Sequence, residues 1–321
     1  MSERKRMLSY STMQIVVVFF VLVGLFGLSS LMSEYFLSSY NMTIIARTLA
    51  FIGLITLGQA MLMLLGELDL SLGAMGGLCG VVAGMLMVDL GLDPLAALPL
   101  AVLLGTFLGL VNGLLVTGLG LHSLVLTIAT AGIYKGINLV LTKGVAITNI
   151  PESIQFLGRG TVYGIPVPFL IMLAVLLLIA VLVHRTSFGR YVYAIGDNTP
   201  AARMLGIRVD RVRILVFVVA GTLAALAGVL MVARLGTAQP SIGDTWVLPS
   251  IAAAVIGGVA TTGGIGSPVG AILGAAIIGV IENVIVLYGI SPYWQSVVSG
   301  TIVVLAISFD SISRRYLLGR E

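Results

Sequence analysis

Long apolar stretches, each close to the length of a membrane-spanning helix, follow one another along almost all of this 321-residue sequence. A helix needs about 20 mostly apolar residues to cross the hydrocarbon core of a bilayer. Ten stretches come near this length, at residues 12–32, 43–65, 70–88, 94–118, 122–142, 167–184, 213–235, 240–260, 264–288 and 292–310. The third and eighth are short and glycine-rich and begin with polar residues. The sequence therefore predicts an all-α polytopic membrane protein of about ten transmembrane helices, in a single domain over residues 1–321.

The composition agrees with this prediction and excludes a soluble globular fold. Hydrophobic residues make up 59% of the chain and charged residues 9%, whereas soluble domains average about 45–50% and about 25%. The 40 glycines suit transmembrane helices, because small residues let two helices approach closely. The single cysteine, Cys79, lies in a glycine-rich apolar run, where we expect it to pack as a small hydrophobic residue.

The basic residues predict the orientation. Of the 17 lysines and arginines, twelve fall before the first stretch, between the sixth and seventh, or after the tenth. These twelve are Arg4, Lys5, Arg6, Arg185, Arg190, Arg203, Arg208, Arg211, Arg213, Arg314, Arg315 and Arg320. Cytoplasmic loops are enriched in such residues, and an even number of crossings puts all three groups and both termini in the cytoplasm. A re-entrant eighth stretch would place the last group outside, so the sequence favours ten crossings over nine.

A constant spacing suggests an internal repeat. Stretches two to five begin near residues 43, 70, 94 and 122, and stretches seven to ten begin 170 residues later in each case. At this offset GELDLSLG (66–73) lies over GTAQPSIG (236–243). The two units, 43–142 and 213–310, would enter the membrane from opposite sides and form an inverted repeat, an arrangement common in transporters. Coincidence in a chain rich in glycine, alanine and leucine is the alternative.

Polar residues within or beside the apolar stretches are the candidates for a solute path or gate, because burying them in lipid is costly. They are Glu67, Asp69, Ser71, Asn112, Glu282 and Asn283. The repeat offset pairs Asn112 with Glu282. The alternative is that they form hydrogen bonds between helices or ion pairs with arginines. Glu67 and Asp69 flank a helix start, where carboxylates suit the helix dipole, and for them we favour a structural or gating role.

The sequence lacks the motifs of an enzyme. His122 and His184 lie at the ends of apolar stretches without neighbours that suggest a metal site. The chain has three lysines, Lys5, Lys135 and Lys143, and none stands in the G-x-x-x-x-G-K-[ST] setting of a phosphate-binding loop. We therefore expect no catalytic residue, no metal and no bound cofactor on this chain.

One polar segment interrupts the apolar pattern at residues 185–212. Thr199 is a suitable N-cap, Pro200 fits a first helical turn and Gly206 fits a helix end. Upstream, Phe188, Tyr191 and Ile195 have the spacing of one helical face. The segment thus predicts two short helices that dock a partner protein; an amphipathic helix pair lying on the bilayer is the alternative.

This segment, TSFGRYVYAIGDNTPAARMLGIRV, resembles the cytoplasmic coupling loop of the ribose-type sugar permeases of ATP-binding-cassette (ABC) importers, in the superfamily that also holds branched-chain amino acid permeases. GELDLSLGA, GLVNGLLV and the glycine-rich stretch 232–275 resemble other segments of that family, in the same order along the chain. The residues that the resemblance and the local pattern assign to coupling are Gly189, Arg190, Tyr193, Ala194, Gly196, Asn198, Ala201, Ala202, Arg203, Gly206 and Ile207.

The resemblance implies a vitamin B12-type (type II) importer fold and a place in the bacterial inner membrane. Two permease subunits, identical or paralogous, would form the path, and two separate ATPase subunits would carry ATP and Mg²⁺. A periplasmic or lipid-anchored binding protein would deliver a monosaccharide. A nucleoside or a signalling sugar is an alternative solute, and an ion-coupled secondary transporter is the alternative class.

Four positions depart from the family pattern. Glu67 stands where a small or neutral residue is usual, and Pro200 where an acidic residue often begins the coupling helix. Asp244-Thr-Trp replaces a Gly-Tyr-Glu-type sequence, and Ile281-Glu-Asn replaces a Leu-Asn-Asn-type one. Because several of these positions lie near the predicted path, the sequence leaves the solute open.

Overall fold

The computed structural model describes residues 3–291 and 293–318, which are mostly helical. The helices in this part of the chain are α1 Glu3–Met32, α2 Ser39–Leu64, α3 Leu72–Val88, α4 Pro94–Leu119, α5 Ser123–Thr142, α6 Gln155–Arg159, α7 Val167–Arg185, α8 Ser187–Asp197, α9 Thr199–Met204, α10 Val209–Leu235, α11 Val247–Ile256, α12 Pro268–Leu287 and α13 Trp294–Leu318. A 3₁₀ turn, Glu152–Ile154, precedes α6, and a hairpin of β1 Thr161–Val162 and β2 Ile165–Pro166 precedes α7. Arg320 lies outside the described residues.

Each of the ten predicted stretches contains a helix, which confirms the all-α polytopic prediction. Seven helices in the described ranges are long and apolar enough to cross a membrane: α1, α2, α4, α5, α7, α10 and α12. The apolar parts of α3, α11 and α13 are shorter. With 1.5 Å per residue, the ten residues of α11 extend about 15 Å, half of a hydrocarbon core of about 30 Å. The count of ten crossings therefore stays a prediction.

Local sequence explains where the helices begin and end. Ser38 and Asp93 cap α2 and α4 by accepting backbone N–H groups with their side chains. His122, for which the sequence suggested no role, caps α5 in the same way, through a ring nitrogen. Gly120 and Gly236 end α4 and α10 in the left-handed conformation that glycine adopts without strain.

The core is built around α2 and α10. Most of α2 from Leu49 to its end is buried, and α10 packs against α2, α3 and α4. A β-carbon added at Gly58 would lie 3.2 Å from the α-carbon of Ala220, and one added at Gly221 would lie 2.9 Å from the α-carbon of Gly109. Small residues thus bring the helix backbones into direct contact, as is usual between helices in a membrane.

Several contacts between helices recur between elements that the offset of 170 residues pairs. α10 packs on α3 and α4, and α2 packs on α11 and α12. α3 contacts α5, and α11 contacts α13. Gly73 and Gly243, which the offset of 170 pairs, lie against each other: a β-carbon on either glycine would overlap the carbonyl oxygen of the other. The segment around Gly73 and the segment around Gly243 therefore contact each other at positions that the offset of 170 pairs.

We expect Gly73→Ala to destabilise the protein by about 1–3 kcal/mol, because the added methyl group would force apart two tightly packed segments. Gly73 is helical with an ordinary φ, so the substitution tests the close approach alone. Thermal unfolding of the purified protein in lipid nanodiscs measures the change. Gly136→Ala is the control, because a β-carbon there meets nothing within 4 Å. An equal melting temperature for both variants would contradict the predicted contact.

Candidate coupling surface and solute path

The polar segment forms the two predicted helices, α8 and α9, at one end of the bundle. Thr186 caps α8 by accepting the N–H of Gly189. A β-carbon at Gly189 would overlap the Val183 carbonyl oxygen, so only glycine permits the tight turn from α7 into α8. α7 runs 19 residues, about 28 Å, from the β-hairpin to this turn. We call the end of the bundle that carries α8 and α9 the loop face.

The prediction that Thr199 caps the second helix is wrong by one residue. Asn198 caps α9, and its side-chain oxygen accepts the N–H of Ala201 at 2.9 Å. The Thr199 hydroxyl instead donates to the carbonyl of Ile195 at 2.8 Å and so ties α9 to α8. The predicted end at Gly206 is confirmed, with φ +80° and backbone hydrogen bonds from Gly206 to Arg203 and from Ile207 to Ala202, the pattern of a Schellman motif.

The three residues that their spacing placed on one face of α8 differ in exposure. Ile195 is buried and Phe188 is half-buried, but Tyr191 is 42% exposed. The buried positions are Gly189, Val192 and Ile195, because the glycine must face the turn and this sets the rotation of the helix. The aromatic ring of Tyr191 is therefore part of the loop-face surface.

α8 is attached firmly to the core. The Tyr193 hydroxyl donates to the carbonyl of Gly266 at 2.8 Å, and burial raises the pKa of Tyr193 to about 12, so the phenol keeps its proton. A β-carbon at Gly196 would overlap the Leu64 carbonyl oxygen, and the N–H of Gly264 donates to that same carbonyl at 3.0 Å. The end of α2, the loop 257–267 and α8 are thus in mutual contact.

The predicted coupling residues divide into two groups. Gly189 and Ala202 are buried, and Tyr193, Ala194, Gly196 and Ile207 are half-buried; these residues hold the segment in place. Arg190, Asn198, Ala201, Arg203 and Gly206 are exposed. The most exposed large apolar side chains of the segment, Met204 at 85% and Leu205 at 80%, were missing from the predicted set. We define the coupling surface as Arg190, Tyr191, Ala201, Arg203, Met204 and Leu205.

Glu67 forms an ion pair that links the two predicted repeats. Its carboxylate lies 2.8 Å from Nε of Arg213, and the side chains are only 12% and 21% exposed. Gly66, with φ +79°, places the preceding turn against the carbonyl of Thr262. The pair therefore joins the end of α2 to the start of α10, directly after the coupling segment.

Asp69, Ser71 and Asn112 lie together in a fully buried network. Asp69 accepts hydrogen bonds from the backbone and the hydroxyl of Ser71, at 2.7 and 2.6 Å. The Asn112 amide donates to Asp69 at 3.2 Å and to the Ser71 hydroxyl at 2.9 Å. Tyr134, which the sequence did not single out, donates to Asn112 at 2.8 Å. The network joins the start of α3 to α4 and α5.

Glu282 and Asn283 lie elsewhere. Asn283 and Asn41 exchange two amide hydrogen bonds at 2.8 and 3.1 Å, which join α12 to α2. The Glu282 side chain lines a cavity of about 100 Å³ between α2, α10, α11 and α12. The structure thus separates the six candidate path residues into four places: the ion-paired Glu67, the network of Asp69, Ser71 and Asn112, the Asn283–Asn41 pair, and Glu282 at this cavity.

Asp244, one of the departures from the family pattern, pairs with Lys135. The Lys135 ammonium lies 2.6 and 2.7 Å from the two carboxylate oxygens and donates to the carbonyl of Pro240 at 2.7 Å. Asn138 donates to the same carbonyl at 3.2 Å. These bonds fasten α5 to the non-helical segment before α11. Over the described residues, no group of three or more His, Cys, Asp or Glu side chains could hold a metal ion.

Comparison with known proteins defines the class. Residues 41–307 match the family described as branched-chain amino acid transport system / permease component. The chain belongs to this family of membrane transport permeases, and its resemblance to the ribose-type members is confirmed by the relatives below.

The ribose import permease protein RbsC of Bacillus subtilis (strain 168) is 39% identical over 312 residues, which cover 96% of each chain. The autoinducer 2 import system permease protein LsrC of Yersinia pseudotuberculosis serotype O:3 (strain YPIII) is 35% identical over 290 residues, or 90% of this chain and 82% of that protein. LsrC of Yersinia enterocolitica is 35% identical over 90% of this chain and 80% of its own length. No solved structure matches this chain.

We expect Glu67→Gln to cost about 3–5 kcal/mol of stability, because it leaves the guanidinium of Arg213 largely buried without its carboxylate. The exchange Glu67→Arg with Arg213→Glu should recover part of that loss. Asp210→Asn is the matched control, because the Arg203–Asp210 pair is 60% and 65% exposed at 3.5 Å and such surface pairs contribute about 0–1 kcal/mol. Equal thermal stability of Glu67→Gln and Asp210→Asn would contradict a structural role for the buried pair.

Proposed function

We propose that this chain is the membrane permease subunit of an ABC importer for a monosaccharide or a similar small polar solute. ATPase subunits on separate chains, with ATP and Mg²⁺, drive it. The coupling surface carries this proposal: two capped helices expose apolar and basic side chains at one end of the bundle, on a chain without a phosphate-binding loop of its own.

The electrostatics of the loop face suit an acidic partner. Arg185, Arg190, Arg203, Arg208 and Arg211 are exposed within the segment, against the exposed acids Asp197 and Asp210. Met204 and Leu205 provide an apolar centre amid these charges, and an apolar centre with a charged rim is typical of protein interfaces. An ATPase subunit with an acid-rimmed groove would fit this surface.

The contacts of α8 supply a route for coupling. A displacement of α8 would be transmitted to the end of α2 through Gly196, and to the loop before α12 through Tyr193. We propose that closure of the ATPases upon ATP binding moves these elements together and changes which side of the membrane the solute path faces. Rigid-body motion of packed helices is an established way to switch access.

The remaining architecture follows from the same proposal. α10 contacts α3 and α4 in the way that α2 contacts α11 and α12. This correspondence supports an inverted repeat, 43–142 and 213–310, in a type II permease with ten crossings. The loop face and both termini lie in the cytoplasm, in agreement with the positions of the arginines. Two permease copies, identical or paralogous, form the complete path in the bacterial inner membrane.

The names of the relatives favour a sugar. RbsC is a ribose permease and LsrC an autoinducer 2 permease, and both names describe import. We propose that a periplasmic or lipid-anchored binding protein delivers the solute to the side opposite the loop face.

We expect Met204→Asp with Leu205→Asp to reduce co-purification of the ATPase subunit at least tenfold without a change in thermal stability. The two side chains are exposed, so the substitution affects docking and not the core. Tyr163→Asp is the control, because that fully exposed residue lies in the hairpin at the other end of α7. Undiminished ATPase binding by the double variant would contradict the assignment of the coupling surface.

We expect Gly196→Ala to bind the ATPase but to transport at least tenfold more slowly, because the methyl group displaces α8 from Leu64. Uptake of radiolabelled solute into proteoliposomes, with ATP hydrolysis measured in parallel, reports the two activities separately. Uptake by the chain alone, driven by a proton or sodium gradient and abolished by an uncoupler, would instead establish the secondary-transporter alternative.

A further inference from the structure

The longest connection at the end of the bundle opposite the loop face is residues 143–166, between α5 and α7. It contains the 3₁₀ turn, α6 and the β-hairpin, and it packs on the two central helices: α6 contacts α10, and β2 contacts α2. A β-carbon at Gly158 would overlap the backbone nitrogen of Arg234, so α6 lies directly on the end of α10. Connections held on a rigid scaffold often carry binding residues. We call residues 143–166 the outer segment.

The tip of the hairpin carries a residue that local stability does not explain. Tyr163 and Gly164 are the two turn residues, with φ of +50° and +81°. Positive φ at both positions defines a type I′ turn, for which Asn-Gly is a preferred sequence. A tyrosine in the left-handed region costs about 1–2 kcal/mol, and the Tyr163 side chain is fully exposed, so burial does not offset this cost. Positions that depart from local preference in this way are often functional.

Other apolar side chains of the outer segment are exposed as well. Val162 and Ile165 flank the turn, and Phe156 projects from α6. The Phe156 ring lies against Gly160, where a β-carbon would overlap it, so the ring is held at the surface. A lipid anchor would lie on the flank of the bundle, whereas the outer segment lies against α2 and α10, which are central. This position favours a partner protein over lipid.

Three arginines lie together where the outer segment meets the bundle. Arg159 donates to the carbonyls of Arg234 and Leu235 at 2.6 and 2.8 Å and so caps the end of α10. Arg47 of α2 donates to the carbonyl of Arg159 at 2.6 Å, and its charge repels that of Arg234. Among the described residues, none of the three arginines forms an ion pair, and Arg47 Nε is buried without a hydrogen-bond partner.

The surrounding charges leave this region positive. The outer segment adds the exposed Lys143 and the exposed Glu152, and Glu282 lines a cavity together with Arg234. The three arginines and Lys143 thus face two acids, which leaves two positive charges in excess. Asp244 is already paired with Lys135. The remaining acids at this end lie on the connections 33–38 and 89–93; they are Glu34, Asp89 and Asp93.

We propose that the outer segment is a docking surface for an acidic region of the solute-binding protein. The Tyr163 ring inserts into the partner, and partner carboxylates accept from Arg159. The Arg159 guanidinium has five N–H donors, and hydrogen bonds within the chain use three of them. Tyrosine and arginine are the residue types that most often carry binding energy at protein interfaces. The proposal rests on the proposed function, which requires a binding protein but does not say where it docks.

The first test measures the affinity of the cognate binding protein for the permease–ATPase complex in phosphatidylcholine nanodiscs, by biolayer interferometry. Tyr163→Asn supplies a residue that a type I′ turn prefers. We therefore expect a melting temperature at or above that of the wild type, together with at least tenfold weaker binding. Tyr35→Asn is the matched control, because Tyr35 is an exposed tyrosine on another connection at the same end. It should bind as the wild type does.

The second test reverses a charge. Glu152→Lys replaces an exposed acid of the outer segment by a base, so we expect at least threefold tighter binding at low salt, and a smaller effect at about 1 M salt, where charges are screened. Asp89→Lys makes the same charge change on the connection 89–93 and should alter the affinity less than twofold. Equal tightening by the two variants would indicate a general attraction and overturn the local surface.

The third test separates a protein partner from lipid. Tyr163→Trp places a fluorescent ring at the tip, and the wild type, with Trp246 and Trp294, provides the reference emission. We expect brominated phosphatidylcholine to leave the added emission unquenched, and the binding protein to shift it to shorter wavelengths. Strong quenching by the brominated lipid would place the tip in the bilayer and overturn the proposal.

The outcomes keep this proposal separate from the proposed function. A wild-type complex that neither binds the binding protein nor accumulates a sugar upon addition of ATP would overturn the proposed function. Normal binding and uptake by the wild type, together with equally tight binding by Tyr163→Asn, would overturn the docking surface alone.

Discussion

The direct backbone contact between α2 and α10 determines how the other helices are arranged. Lipid tails are as apolar as leucine, so helices in a bilayer associate through close packing and not through hydrophobic exclusion. Gly58 of α2 lies against Ala220 of α10, and Gly221 of α10 lies against Gly109 of α4, so no large side chain separates these helix axes. With the central pair fixed, α3 and α4 pack on α10 while α11 and α12 pack on α2. The shared use of small residues is what allows so many helices to reach two central ones.

Polar groups are treated differently on the two sides of this pair. Around α3 and α4, each polar side chain of the Asp69 network has a partner, and the Glu67–Arg213 pair closes the loop-face side. Around α11 and α12, Glu282 and Arg234 face a cavity, and the Gln59 amide has no hydrogen-bond partner among the described residues. The polar groups around α3 and α4 therefore hold helices together, whereas those beside α11 and α12 line a cavity.

The sequence predicted the features that depend on local pattern. Helix positions followed from apolar length, and the end of α9 followed from Gly206, because a left-handed residue there needs glycine. The predicted cap of α9 was wrong because Asn198 and Thr199 are adjacent and both suit an N-cap. The Thr199 hydroxyl donates to the Ile195 carbonyl instead, so Asn198 caps the helix. Likewise, the face of α8 is set by the turn at Gly189, which periodicity does not reveal.

Pairings between distant residues were beyond sequence reasoning. Lys135 and Asp244 form an ion pair although they are 109 residues apart in the chain. Tyr134 lies in an apolar run with no local sign of its bond to Asn112.

The non-helical segment 236–246 has a consequence for how the molecule can be divided into moving bodies. Its Pro240 carbonyl is held by Lys135 and Asn138, and its Ala238 pairs with Ile147, so α5 and the residues after it are joined to the connection between α10 and α11. α5 also packs on α3 within its own repeat. A displacement of α11 will therefore carry α5 with it. A unit that moves as one body would therefore contain helices from both predicted repeats, with α3, α5 and α11 among them.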